Sequence, residues 1–101
     1  MSDVEAARQA FAAALTQAGA ILDHTPRHRF AREARALALC GSEICGHTDH
    51  AEAAAEAMRA AVLDATPMIA GRLLRLVDAL CEMDHAHILS EPRRIVAHAA
   101  G

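Results

Sequence analysis

Thr66-Pro67-Met68-Ile69-Ala70-Gly71-Arg72-Leu73-Leu74-Arg75-Leu76-Val77-Asp78-Ala79-Leu80 is the stretch that decides the fold class. Thr66 is a good helix N-cap, and Pro67 has its φ preset for the first helical position, where a missing N–H is no loss. Behind them Ile69, Leu73, Leu76, Val77 and Leu80 return every three or four residues, the spacing of one helical face. The pattern predicts a helix from Pro67 to about Leu89. Ser90-Glu91-Pro92 then breaks the chain, and Pro92 to Ala100 reads as a short further helix.

The same grammar extends towards the N-terminus. Asp49 or Thr48 caps a third helix, with Glu52 placed to complete a capping box behind Asp49 and with Ala54, Met58, Ala61 and Val62 on its stripe. Thr25-Pro26 opens a second helix that places Phe30, Ala34, Leu37, Gly41 and Ile44 inside, with Arg29, Arg32, Glu33 and Ala36 opposite, and that ends at Gly46. The first helix starts from a Ser2/Glu5 capping box and carries Val4, Ala7, Phe11, Leu15, Ala18 and Leu22. No segment alternates with period two. The expectation is an all-α chain: an antiparallel up-down-up-down four-helix bundle with a short C-terminal helix, residues 1–101 forming a single domain. Ala20 to Pro26 resembles Ala61 to Pro67 at an offset of 41, which suggests a duplication. Against it, the inner stripe of helix 2 lands on polar residues of helix 4 when shifted by that offset.

Composition bounds what such a domain does. Alanine supplies about half of the 53% apolar content, and the only large aromatics are two phenylalanines. Alanine favours helix but buries little area, so covering one copy with a second is expected: a homodimer, or docking on a protein partner. The formal charge of -3 argues against nucleic acid as a partner, because phosphate binding needs a basic surface. Every basic residue is Arg, a coding signature of a GC-rich, bacterial genome. No run approaches the roughly 18 uncharged apolar residues of a membrane span, and the acidic N-terminus lacks a secretion signal. A cytoplasmic location follows, where three cysteines remain thiols.

Chemistry-bearing residues concentrate in two runs. Cys40 to His50 and Cys81 to His87 contain all three cysteines and four of the seven histidines. In an antiparallel bundle these runs meet at one end. At 100° per residue, Asp84 and His87 continue the Ile69/Leu73/Val77/Leu80 face and point inward, Cys81 lies at its edge and His85 points further out. Cys45 borders the inner stripe of helix 2, whereas Cys40 lies nearly opposite and faces solvent or a partner. A carboxylate and an imidazole directed into a core call for pairing or coordination.

The candidate ligand set is therefore Cys45, His47, His50, Cys81, Asp84, His85 and His87, holding a transition metal such as zinc, copper, nickel or iron. Asp84 and His87 bonding only each other is the alternative. Neither a zinc-finger spacing nor H-E-x-x-H is present. Cys81 and His85 stand four apart, but a helix C-terminus raises a thiol's pKa, so no catalytic residue is assigned. The function expected is sensing, storage or delivery of a metal. The alternative is a non-catalytic, homodimeric interaction module without one. At the other end, His24, Arg27, His28 and Arg29 crowd the Thr25-Pro26 turn; His24 and His28 are placed to take a metal, or an anion beside the free amides of helix 2, and the alternative is a set of solvated turn residues on an exposed loop.

Overall fold

The computed structural model describes residues 3–46, 51–84 and 87–101. It is all-helical, with five helices among the described residues: α1 (Asp3–His24), α2 (Arg29–Ile44), α3 (Ala51–Val62), α4 (Pro67–Cys81) and α5 (Ser90–Ala100). α2 is the central element. It packs against α1, α3 and α4, while α5 closes on α3 and α4. The C-terminal helix is part of the core: Pro92 and Val96 are buried, and ion pairs tie Arg93 to Asp78 on α4 (2.7 Å) and Glu91 to Arg59 on α3 (3.6 Å). No described helix is long and apolar enough to cross a membrane.

The starts of α2 and α4 differ although their sequences are alike. Thr66 caps α4 as expected, its hydroxyl accepting from the amide of Ile69 at 3.3 Å with Pro67 in the first turn. Thr25 does not cap α2. Its carbonyl accepts from the His28 amide instead (3.0 Å), and His28 is the cap, Nδ1 accepting from the Ala31 amide at 3.2 Å. Arg32 Nε donates to the Pro26 carbonyl of the same turn at 2.8 Å. The two similar heptapeptides thus build different structures, which removes the local support for a duplication. The expected caps at Ser2 and at Thr48 or Asp49 lie outside the described residues.

The inner face of α2 also differs from the expected stripe. Phe30 stands 61% exposed, whereas Ala36 and Cys40 are fully buried and Glu33 is nearly so. A helix flanked by three others is covered on almost every side, and Ala38 to Glu43 are all buried. The core at α2–α3 is built from Ala36, Ala54, Ala57 and Ala61 around Met58, and such short side chains draw the helices together. A Phe ring has no room there. Cys40, expected to face solvent or a partner, packs in this core with Leu39, Leu73, Val77 and Leu89.

The α1–α2 contact turns on one glycine. The Phe11 ring of α1 lies over Gly41, and a Cβ at position 41 would overlap Cδ1, Cε1 and Cζ of that ring. Gly to Ala in a helix interior ordinarily gains about 1 kcal/mol, while forcing a methyl into a filled contact costs about 1–3 kcal/mol. Gly41→Ala is expected to lose about 1 kcal/mol net, measured as a lower urea midpoint at unchanged m-value. At Gly71 an added methyl would meet open space, and the same substitution there is expected to gain stability.

Candidate functional site

The end of the fold that carries the thiols is organised by Asp84. α4 stops at Cys81, short of the expected Leu89, and its last turn tightens through bonds from Met83 N to Leu80 O (3.0 Å) and from Asp84 N to Cys81 O (3.1 Å). The Asp84 carboxylate then accepts from the amides of Ile88 (2.9 Å) and Leu89 (2.7 Å), one on each oxygen. A short acidic side chain that offers backbone amides an acceptor competes with helix continuation. Asp84 is buried, as its helical phase predicts, and its carboxylate is taken up by backbone amides, where the expectation is coordination to a metal or, as the alternative, a bond to His87. His87 leaves the helical phase altogether: its φ is +57° and it is exposed.

Thiol chemistry at this end follows from burial. Cys40 is fully buried close enough to Glu43, Cys81 and Asp84 to feel their charge; burial first, then these neighbours, push its pKa up to about 12. Cys81 is raised as well, by burial and then by Asp78 and Asp84, against a lowering contribution from Arg93. Both are thiols and not thiolates at neutral pH, and hence poor nucleophiles. Cys45 occupies a different place. It is the C-cap of α2, its carbonyl accepting from Arg8 Nη2 at 2.8 Å, and it lines an apolar groove with Val4, Phe11, Ile44 and Met83.

The candidate ligands are therefore dispersed where they are described. Cys81 and Asp84 lie near Cys40, Cys45 borders the α1 groove, and His87 is exposed. His47, His50 and His85 lie outside the described residues. Among the described residues no three Cys, His, Asp or Glu side chains form a group able to hold a metal ion. Cys40 is the neighbour of Cys81 that the helical stripe did not single out. Its signal was present: Ala36, Leu39, Cys40 and Glu43 have the three-and-four spacing of a helix face. Small size and one charge hid it behind the bulkier Phe30/Leu37/Ile44 stripe.

A second feature stands on the flank formed by α1, α2 and α4. Phe30 and Ile21 line one shallow groove with Ala14, Ala18 and Ala34. On its other side, the Arg72 guanidinium lies 5.5 Å from the Phe30 ring centre and donates to both Glu33 oxygens at 2.8 and 3.2 Å. Met68 and Leu76, one turn to either side of Arg72 and so on the same side of α4, are 82% and 48% exposed.

Comparison with family models, with curated proteins and with solved structures finds no match.

Loss of the Asp84 carboxylate leaves two amides without an acceptor. Bonds to a charged acceptor contribute about 1.5–3 kcal/mol each and are partly replaced by water. Asp84→Ala is expected to cost about 2–4 kcal/mol in urea unfolding, and Asp84→Asn, which keeps one acceptor oxygen, about half of that.

Proposed function

We propose that the chain is a non-catalytic interaction module that associates with a second copy of itself through the flank around Phe30. The observation that carries this reading is a misplacement of bulk. Among the described residues the large apolar side chains in the core are Leu39, Met58, Leu73, Val77, Leu89 and Val96, and Cys40 and nine alanines complete it. Seven equally large side chains are exposed, including Ile21, Phe30, Met68 and Leu76 around this one flank. Contiguous exposed apolar surface on a small domain marks an interaction site. Glu33 and Arg72 neutralise each other at this flank, which leaves Arg75 as the charge that the α4 side of the face brings to an identical face. An antiparallel arrangement of α1 to α4 belongs to this proposal, since the short α1–α2 and α3–α4 connections favour it.

Sedimentation velocity tests the reading. The protein is expected to run as a dimer at micromolar concentration, and Phe30→Glu, at a position already exposed, is expected to run as a monomer with an unchanged circular-dichroism spectrum. A wild-type monomer at the highest soluble concentration overturns it.

Transition-metal binding at the thiol end is the second reading, favoured by the nearness of Cys40, Cys81 and Asp84 at the points where the two histidine-bearing segments leave the described helices. Its ligands come from Cys45, His47, His50, Cys81, Asp84, His85 and His87, with Cys40 added. Binding would displace protons from raised thiols, so affinity would climb with pH. Untagged protein is expected to carry stoichiometric zinc, copper, nickel or iron that is lost in Cys81→Ala. Metal-free protein whose melting temperature ignores all four ions eliminates this reading. Free thiols at all three cysteines accord with a cytoplasmic setting for either role.

A further inference from the structure

Five of the ten arginines, Arg8, Arg59, Arg72, Arg93 and Arg94, pair with a carboxylate. The other five, Arg75 and the group Arg27, Arg29, Arg32 and Arg35, pair with none among the described residues, and the group of four falls within nine consecutive positions. Such a cluster repels itself unless an anion relieves it.

The four line two adjoining cavities. Arg27, Arg29 and Arg32 surround one of about 130 Å³, closed by Ala61, Asp64 and Ala65. Arg32 and Arg35 border the other, of about 220 Å³, whose remaining walls are Leu22, Pro26, Ala57 and Ala60. Arg32 is common to both and is held in place. Its Nε donates to the Pro26 carbonyl (2.8 Å) and its Nη1 reaches the Ala60 carbonyl (3.5 Å), which fixes the guanidinium plane between the α1–α2 turn and α3. A guanidinium preorganised in this way loses little freedom on taking up an oxyanion. The first cavity also lies at the positive end of the α2 dipole.

We propose that this pair of cavities binds a phosphorylated small molecule. The phosphoryl group sits among Arg27, Arg29 and Arg32, and the organic part lies in the adjoining cavity against Leu22, Pro26, Ala57 and Ala60. Charge selects the ligand. Three guanidinium groups set against the Asp64 carboxylate leave two positive charges, which match a phosphomonoester of charge about -1.5 to -2 at pH 7. The apolar walls of the second cavity favour an ester over inorganic phosphate, and its small volume limits the organic part to about one ring.

Phenyl phosphate and inorganic phosphate are the probes, followed by thermal unfolding and by ³¹P line broadening. Phenyl phosphate at millimolar concentration is expected to raise the melting temperature by several degrees and to bind several-fold tighter than phosphate. Arg27 and Arg29 are exposed, so the double substitution R27A/R29A is expected to keep the fold, read by circular dichroism, while weakening phenyl phosphate roughly tenfold or more. The proposal fails if sodium chloride at equal ionic strength gives the same rise, if the double variant binds as well as the wild type, or if a single-stranded oligonucleotide competes more tightly than the ester. None of these outcomes depends on whether the protein dimerises.

Discussion

The close approach of alanine-faced helices around α2 is the constraint from which the rest of the structure follows. Ala36 on α2 meets Ala54, Ala57 and Ala61 on α3, with Met58 filling the gap between them. Area removed from water stabilises by about 25 cal/mol per Å², and a methyl group offers little area, so this core is close-packed without being strongly apolar. The geometry is also intolerant. Where helices sit this near, a ring fits only over a glycine, as Phe11 does over Gly41. Phe30, with an alanine face beside it, turns outward.

That constraint explains which parts of the fold are legible in the sequence. Helix existence is legible throughout, because Thr66-Pro67 and the Ile69/Leu73/Val77 spacing are local signals and the local structure obeys them. Which side of α2 is buried is not, because bulk is the usual mark of an inner face, and in an alanine core bulk marks the residue that is left out. The end of α4 is not legible either. Residues 82 to 89 continue a plausible helical pattern, and only the Asp84 carboxylate capturing the Ile88 and Leu89 amides redirects the chain. A bond between a side chain and backbone four and five residues ahead leaves no periodic trace.

The candidate site inherits both errors. Asp84 is expected inside and is inside, but the phase argument that sends His87 after it assumes a helix that has already ended. Cys40 is buried where it is expected to face outward, because the buried face of α2 is not its bulky one, while Cys45 stays at the margin, half-buried beside Ile44. What survives at the thiol end is an acidic, buried neighbourhood of Glu43, Cys81 and Asp84 around Cys40, an environment that holds protons on sulfur. Such a place suits a packing thiol unless a cation is supplied to reverse the electrostatics.

Net charge is equally blunt as a guide. A total of -3 averages an acidic thiol end with an α1–α2 junction where four guanidinium groups stand without carboxylate partners among the described residues. The two ends differ because of what their helix termini offer. At the close of α2, carbonyls point outward and Arg8 of α1 is drawn in to the Cys45 carbonyl at 2.8 Å. At its start, amides point outward, which is the wrong polarity for arginine, and still Arg27 and Arg29 stand there while Arg32 is bound to two carbonyls beside them. Positive side chains gathered at the positive end of a helix lower stability on their own account. Their mutual repulsion adds to that cost, and a doubly charged oxyanion among the guanidinium groups would offset both.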